Sequence, residues 1–246
     1  MKSFLLTKLL PLLGFLIVWQ IVSLFLNPLV LPSPLLVFSK IILILQSKGF
    51  YVAISATLLR ALIGLVIALV AGTLFGFLMH FSKAFSTFMH PIIIILQSLP
   101  VISWLLLALI WFDSSVIPIF IVAISTMPII ILNVFEGLKE VSGEYIELVK
   151  FYDLSFKKCL QGLYIPSITA YLISAYKIII GLCIKTSVMA EVISRVKQGI
   201  GAEMNLAWIN VDTAEVLAYT VLIVFFTFLT ERLLTLIFAQ RFRNYQ

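Results

Sequence analysis

The chain contains apolar runs that are long enough to cross a lipid bilayer. Four of them, at 9–26, 61–81, 88–112 and 116–135, contain no Asp, Glu, Lys or Arg. A helix rises about 1.5 Å per residue, so roughly 20 apolar residues match a hydrocarbon core about 30 Å thick. Because lipid offers no hydrogen-bond partners, a single spanning segment must satisfy its own backbone groups, as a helix does. The runs therefore predict an all-α integral membrane protein.

About six transmembrane helices are predicted within a single transmembrane domain, residues 1–246. They lie at about 9–26, 61–81, 88–112, 116–135, 168–193 and 216–238. The composition agrees, since only 11% of residues are charged, compared with about 25% in soluble domains. The first segment could instead be a secretory signal peptide. We interpret it as a retained helix, because its apolar core exceeds about 15 residues and no small-residue cleavage site follows.

Small residues recur along the second segment. Gly64, Ala68, Ala71, Gly72 and Gly76 follow one another at helical spacings. Small side chains allow the backbones of two helices to approach closely. The pattern predicts that this helix packs tightly inside a bundle. A shorter apolar stretch at 37–45 is too brief to span, and is predicted to be a helix at the membrane surface.

Polar residues surround a proline in the third segment. Gln97, Ser98, Ser103 and Trp104 lie close to Pro100. A proline inside a span removes a backbone hydrogen bond and is tolerated where neighbouring helices or water satisfy the freed groups. The cluster predicts a kink facing the bundle interior, and its five residues are candidates for the substrate pathway. Hydrogen bonding between helices is the alternative interpretation.

The basic residues predict which end of each span faces the cytoplasm. With the N-terminus inside, ten cations fall on the cytoplasmic side: Lys2, Lys8, Lys83, Lys139, Lys150, Lys157, Lys158, Arg232, Arg241 and Arg243. Five fall on the outer side: Lys40, Lys48, Arg60, Arg195 and Lys197. Cytoplasmic loops are enriched in Lys and Arg. We therefore predict that both termini and the polar stretch after the fourth span are cytoplasmic.

That polar stretch, Val141 to Ile168, is the one long charge-mixed segment of the chain. Its first part, 144–152, places Tyr145, Leu148, Val149 and Tyr152 at the spacing of an amphipathic helix. Asp153 is predicted to cap a second short helix at 154–163. A bent pair of helices presented to the cytosol suits a partner with a groove. An ordinary solvated loop that only links two spans is the alternative.

The spacing within this stretch is similar to a known signature. Glu147-Leu148-Val149, three residues, Asp153, nine residues, Leu163-x-Ile165-Pro166 resembles the EAA motif of binding-protein-dependent ABC importer permeases, EAA-x3-G-x9-I-x-L-P. The glutamate, the proline and the spacings match, whereas Leu148 and Val149 replace the two alanines and Asp153 replaces the glycine that supplies a turn with positive φ. Aspartate tolerates that region better than most residues. Further blocks, at 31–34, 98–112, 189–195 and 199–204, resemble the nitrate, sulfonate and taurine branch.

This resemblance implies a type I ABC importer permease fold, also called MetI-like, in a bacterial plasma (inner) membrane. It implies a second permease subunit, an external substrate-binding protein and ATPase subunits that bind ATP and magnesium, with no cofactor in this chain. Coupling to the ATPase would fall on loop 141–166, through Glu147, Leu148, Val149, Asp153, Leu154, Leu163, Ile165 and Pro166. In this interpretation Glu147 and Asp153 are polar docking positions, Leu148, Val149 and Leu154 supply apolar contact, and Pro166 ends the coupling segment. The cargo would be a small solute such as nitrate, a sulfonate or taurine, or else a vitamin precursor.

Glu191 is a further candidate for the substrate pathway, because a carboxylate inside a span often has a function. It lies close in sequence to Lys185 and Arg195. A structural ion pair, or contact with the binding protein, is the interpretation that we favour over substrate binding.

Several other functions are excluded or weakened by the sequence. The chain has no G-x4-G-K-[ST] phosphate loop and no nucleophile constellation, so it is not expected to be an enzyme. Its basic residues form no patch for nucleic acid, and two isolated histidines and two cysteines predict no metal site. A secondary transporter would commonly show an inverted repeat, which is not apparent. That class and a membrane scaffold both leave the EAA-like loop unexplained.

Overall fold

The computed structural model describes residues 2–242. Side chains are described for these residues except 2–9, 12, 146, 150, 156, 177, 234 and 237–242, and the predicted cytoplasmic cation Arg243 lies outside the described residues. The described chain is all helical and contains no strand. Its helices are α1 (Lys2–Phe25), α2 (Pro34–Gln46), α3 (Lys48–Phe81), α4 (Lys83–Ser98), α5 (Val101–Trp111), α6 (Ile117–Lys139), α7 (Gly143–Phe151), α8 (Phe156–Cys159), α9 (Ile165–Ser194), α10 (Ile200–Ile209) and α11 (Thr213–Phe242).

Three of the described helices are long and apolar enough to cross a membrane alone. They are α3, α6 and the part of α11 from Thr213 to Leu233. Two bent pairs raise the number to as many as five: α4 with α5, and Lys157–Tyr176 with Ile178–Ser194. The first predicted span falls in α1, whose described apolar part, Leu13–Phe25, is shorter than a span. The predicted all-α membrane class is confirmed, and the sixth span stays a prediction.

Helix α3 is longer than the second predicted span, because it begins at Lys48 and not near Ala61. The Ser47 side chain caps it by accepting a hydrogen bond from the Phe50 N–H at 3.2 Å. The helix then runs straight through Arg60, which was predicted to lie outside the apolar segment. Arg60 is tolerated there because it forms an ion pair with Glu191 of α9. Charged residues within spans are stabilised by such pairing.

The core of the bundle is built from α3, α6 and α9. Gly64, Gly72 and Gly76 of α3 lie against Val122, Ile130 and Val134 of α6, and all six residues are buried. A Cβ atom at Gly72 would lie only 2.7 Å from Ile130 Cγ2. The predicted close packing of the small residues is therefore confirmed, and α6 is the partner helix.

Replacement of Gly72 by alanine is expected to destabilise the protein by about 1–3 kcal/mol, because the new methyl group overpacks the α3–α6 contact. The measurement is the thermal unfolding of the purified protein in detergent. Gly181→Ala in α9 is the matched control, since its Cβ would meet nothing within 4 Å. Alanine there should be neutral or should stabilise the helix by up to about 1 kcal/mol. Equal losses in both variants would contradict the close packing.

A second core joins α2 and α3 to α10 and α11, and an ion pair lies at its edge. Lys40 Nζ lies 2.5 Å from Asp212 Oδ2 and 3.4 Å from Glu215 Oε2. Asp212 also caps α11, because its Oδ1 accepts the Glu215 N–H at 2.9 Å. Burial acts to raise the pKa of the Asp212 carboxyl, but the Lys40 hydrogen bond, two backbone N–H groups and the Lys40 charge together hold it below its ordinary value.

The lowered pKa of Asp212 predicts a loss of stability in acid. A carboxyl with a folded pKa below its unfolded value stabilises the fold above the unfolded pKa, and this contribution disappears as the pH falls through the folded pKa. Acidification from neutral pH should therefore lower the unfolding temperature less in Asp212→Asn than in the wild type. Asp113→Asn, at an exposed turn before α6, should leave the acid dependence unchanged. If the unfolding temperature falls equally with decreasing pH in Asp212→Asn and in the wild type, the prediction is contradicted.

Candidate functional site in the loop between α6 and α9

The polar loop leaves the end of α6 and folds at once into α7. Helix α7 covers Gly143–Phe151, so the predicted helix at 144–152 is confirmed to within one residue. Glu144 lies in the first turn, where a carboxylate interacts favourably with the helix dipole. The side chains of Glu147, Leu148 and Tyr152 are exposed, whereas Val149 is half-buried. The helix therefore presents one mixed polar and apolar surface away from the bundle.

Asp153 ends α7 in the conformation that the motif glycine would adopt. Its φ is +46°, in the left-handed region that glycine prefers. The Leu154 N–H donates to the Val149 carbonyl at 3.1 Å, which is the six-to-one hydrogen bond of a Schellman motif. Asp153 is thus the C′ residue of α7. Its prediction as the cap of a second helix at 154–163 is wrong, because the next helix begins only at Phe156.

The turn at Asp153 predicts that glycine is better tolerated there than any branched side chain. A left-handed conformation costs an L-residue about 1–2 kcal/mol, so Asp153→Gly should be neutral or stabilising and Asp153→Val should lose about that amount. Thermal unfolding of the purified variants measures the difference. Asp113→Gly, at a residue without positive φ, is the control and should not stabilise. A stabilising Asp153→Val would contradict the turn geometry.

The chain after Asp153 continues as one helical path into α9. Helix α8 is followed by a π-helical segment, Leu160–Tyr164, in which the Ile165 N–H reaches back to the Leu160 carbonyl. Pro166 follows in the first turn of α9. Proline has no N–H and its ring collides with a carbonyl in a regular α-helix, and the wider π turn relieves both problems. Pro166 thus lies at the start of α9 within a continuous helical path, and its role as the end of the coupling segment stays a prediction.

A groove of about 320 Å³ separates α7 from this helical path. Its lining residues are Tyr145, Leu148, Val149, Tyr152, Leu154, Lys158, Cys159, Gly162 and Leu163. Val149 and Leu163 also pack against the main core, so they anchor the groove to the bundle. Leu148 and Leu154 remain 49% and 40% exposed. Six of the predicted coupling residues are exposed, so an external partner can contact them: Glu147, Leu148, Asp153, Leu154, Ile165 and Pro166.

The third predicted span is broken into two helices at Pro100, where a kink within one helix was predicted. Helices α4 and α5 meet at 96°, with Leu99 and Pro100 between them. Helix α4 packs on Ile131 and Phe135 of α6, whereas α5 packs on Ile117 and Ile121. Because the two helices pack on different parts of α6, the break between them lies at the surface, and Pro100 is exposed instead of facing the bundle interior.

The candidate pathway residues at this break lie together but differ in burial. Gln97 and Ser98 are exposed, and Ser103 and Trp104 are half-buried. The Trp104 Nε1–H is buried without a hydrogen-bond partner among the described residues. An indole N–H inside a protein usually has a partner. The break therefore offers a free donor, but nothing in its geometry brings Glu191 to it.

Glu191 is instead the centre of a buried polar cluster. Its side chain is fully buried, and its Oε1 lies 2.6 Å from Arg60 Nη1. Its Oε2 accepts hydrogen bonds from the Thr57 hydroxyl at 2.8 Å and from the Gly201 N–H at 3.0 Å. Arg60 also donates to the Gln198 carbonyl at 2.7 Å. The favoured interpretation of a structural ion pair fits this geometry, although its partner is Arg60 and not Lys185 or Arg195.

Two glycines allow the backbone to approach this carboxylate. A Cβ at Gly199 would lie 2.5 Å from Glu191 Oε2, and one at Gly201 would lie 2.4 Å from Glu191 Cβ. Gly199 also has a φ of +144°. Sequence reasoning missed Thr57, Arg60 and both glycines as members of this cluster. The available signal was one arginine and one glutamate, each inside an otherwise apolar helix, together with the Gly199-Ile200-Gly201 pattern.

Comparison with known proteins identifies the family. Residues 64–244 match the model of the binding-protein-dependent transport system inner membrane component. The chain belongs to that family. The match covers the small-residue face of α3, the polar loop with its groove, and the α9 and α10 residues of the Glu191 cluster, whereas Thr57 and Arg60 precede it. This permease is thus an ABC importer subunit of the nitrate and taurine branch, and the resemblance carried by the EAA-like loop is confirmed.

Several characterised permeases are similar to this permease. The nitrate import permease protein NrtB of Synechococcus elongatus is 29% identical over 198 residues, or 76% of this chain and 71% of that protein. The taurine transport system permease protein TauC of Escherichia coli is 26% identical over 220 residues, 87% and 80% of the two chains. The formylaminopyrimidine transport permease protein ThiX of Halalkalibacterium halodurans is 26% identical over 177 residues, 71% and 70% of the two chains.

Proposed function

We propose that this permease forms the substrate pathway of an importer for a small solute such as nitrate, a sulfonate or taurine. The family match over residues 64–244 carries the proposal, and the names of the nitrate and taurine relatives supply the cargo. The chain acts with a second permease subunit, either a copy of itself or a related chain, in the bacterial plasma membrane. Both termini are cytoplasmic, and an extracytoplasmic binding protein delivers the cargo.

Loop 141–166 docks a cytoplasmic ATPase subunit, which binds ATP and magnesium. The groove and the exposed residues beside it support this role, because Leu148 and Leu154 provide apolar contact and Glu147 provides a charge. The groove is anchored through Val149 and Leu163 to the α3–α6–α9 core. A displacement of α7 is therefore transmitted to the spans. Closure of the ATPase dimer draws the two loops together and opens the pathway outward, and hydrolysis resets it.

A vitamin precursor is the second candidate cargo. The similarity to the formylaminopyrimidine permease supports it, because the identity is within a few per cent of that to the nitrate permease. The two classes differ in charge. Nitrate and the sulfonate group of taurine are anionic at neutral pH, whereas a formylaminopyrimidine has no acidic group.

Uptake by proteoliposomes tests the proposal. The permease is reconstituted with the ATPase and binding-protein subunits encoded beside it, and labelled nitrate, taurine, bicarbonate and formylaminopyrimidine are compared. We expect uptake of one anionic probe that requires both ATP inside and binding protein outside. Uptake that proceeds on an ion gradient without any ATPase would contradict the import mechanism. Uptake of the pyrimidine alone would assign the permease to the second class of cargo.

A further inference from the structure

A large cavity lies between α9, α10 and α11. Its volume is about 660 Å³. Most of its walls are apolar, formed by Val188, Met189, Met204, Ile223 and Phe228 among others. A cavity of this size accommodates a small solute. The few polar groups on its walls therefore decide what it can bind.

Glu231 of α11 is the acidic residue on these walls, and Lys185 is the cation. It lies inside α9, and no other charged residue occurs between Ile178 and Ala190. Nine residues separate it from the end of the helix at Ser194, which corresponds to roughly 13 Å at about 1.5 Å per residue. That distance exceeds the reach of a lysine side chain, so Lys185 does not snorkel to that end of the span.

Lys185 also lacks an acidic partner of the kind that Arg60 has in Glu191. Arg60 lies 2.6 Å from Glu191. By contrast, no carboxylate oxygen among the described residues lies within 4.0 Å of Lys185 Nζ. A charged residue within a span costs roughly 2.5–3.5 kcal/mol on insertion scales. An unpaired lysine in a cavity is therefore expected to have a function.

The threonines of the cavity do not compete with Lys185 as donors. The Thr220 hydroxyl donates to the Val216 carbonyl at 2.9 Å, and the Thr227 hydroxyl donates to the Ile223 carbonyl at 2.8 Å. Both hydroxyl hydrogens are thus used within α11. The Lys185 ammonium, with its three N–H groups, is the free hydrogen-bond donor on these walls among the described side chains. Its positive charge selects for an anion.

We propose that Lys185 binds the oxyanion group of the cargo in the cavity between α9, α10 and α11. This inference rests on the proposed import function and assigns its cargo to the anionic class. A nitrate, a bicarbonate and a sulfonate share the required chemistry, which is a compact negative charge spread over oxygen atoms. A formylaminopyrimidine does not share it. The phosphate of an anionic lipid has the same chemistry and is the competing source.

Protection of Lys185 from an amine-specific reagent tests the site without transport. The full-length permease is placed in phosphatidylcholine nanodiscs, and modification of each lysine is followed by mass spectrometry at constant ionic strength. Nitrate, bicarbonate and taurine are the probes. We expect one of them to slow the modification of Lys185 about tenfold when present at roughly ten times its Kd. Modification of Lys83, an exposed lysine at the start of α4, should not change.

Two outcomes of this experiment would overturn the inference. The first is that none of the three probes protects Lys185. The second is that phosphatidylglycerol alone protects Lys185 and the probes add nothing, which would make the cavity a lipid site. Formylaminopyrimidine is included as a fourth probe, and saturable protection by it instead of the anions would also contradict the proposal.

Uptake by the assembled importer separates this inference from the proposed function. Lys185→Gln should raise the half-saturating anion concentration about tenfold or more, because a charge-assisted hydrogen bond contributes roughly 1.5–3 kcal/mol. Lys185→Arg should restore most of the affinity, and the stimulation of ATPase activity by the binding protein should persist in both variants. If Lys185→Gln leaves both the half-saturating anion concentration and the stimulation of ATPase activity unchanged, the anion site at Lys185 is contradicted and the import function is not. Absence of ATP-driven uptake in the wild type would contradict the proposed import function. The protection experiment would still test whether Lys185 binds an anion.

Discussion

Replacement of Arg60 by alanine is expected to lower the free energy of unfolding by about 3–5 kcal/mol. This is the typical cost of removing one partner of a buried ion pair, because the remaining charge is left without compensation. Glu191 is fully buried, and only 15% of the Arg60 side chain is exposed. The loss also releases the Gln198 carbonyl from its Arg60 hydrogen bond, so the chain before α10 should loosen. Thermal unfolding of the purified permease in detergent measures the effect.

The double variant Arg60→Met with Glu191→Gln provides the internal comparison. It leaves no buried charge and keeps an oxygen to accept the Thr57 and Gly201 hydrogen bonds, so it should be more stable than Arg60→Ala. Lys139→Ala breaks the exposed pair with Glu136, whose two side chains are each 51% exposed, and should cost less than about 1 kcal/mol. A loss in Arg60→Ala no larger than that in Lys139→Ala would contradict a structural role for the cluster.

Replacement of Leu148 by aspartate is expected to weaken binding of the ATPase subunit at least tenfold, which corresponds to about 1.4 kcal/mol or more. Apolar side chains that fill a pocket at the centre of an interface commonly contribute about 2 kcal/mol or more. Leu148 is 49% exposed and lines the groove beside α7. A carboxylate there would be desolvated by the docked subunit. The measurement is the amount of ATPase that co-purifies with the permease from membranes.

Phe151→Asp is the matched control for this prediction. Phe151 lies on the same helix and is 81% exposed, but it is not among the residues that line the groove. It should therefore retain most of the bound ATPase. Both variants should keep the unfolding temperature of the wild type, because neither side chain is buried. Equal loss of ATPase in the two variants would show that the charge of the loop matters and the groove does not.

The all-helical class, the small-residue packing of α3 and the helix at 143–151 follow from the sequence because each depends on local periodicity. Gly64, Gly72 and Gly76 recur on one face of a helix, and such a face predicts close packing whichever partner it meets. Tyr145, Leu148 and Tyr152 likewise define an amphipathic helix without reference to the rest of the chain. The left-handed turn at Asp153 was predictable from the motif position that it occupies.

The remaining features depend on contacts between distant segments, which periodicity does not reveal. Arg60 was assigned to a loop because a cation normally ends an apolar run, and only its pairing with Glu191 lets α3 continue. The π-helical turn before Pro166 lets the helical path continue into α9. The break at Pro100 lies on the surface because α4 and α5 pack on different parts of α6. None of these arrangements has a signal within its own segment.

Cross-linking from position 147 is the most direct test of the coupling role proposed for the loop. Glu147→Cys and Asp113→Cys are made in a permease whose buried Cys159 and Cys183 are replaced by alanine, and each is labelled with a photoreactive maleimide in the assembled importer. The two positions lie beyond opposite ends of α6, which has 23 residues and is roughly 35 Å long. We expect Glu147→Cys to cross-link to the ATPase subunit and Asp113→Cys to give no such product. Cross-linking of the ATPase from Asp113→Cys and not from Glu147→Cys would contradict both the docking role of the loop and its cytoplasmic orientation.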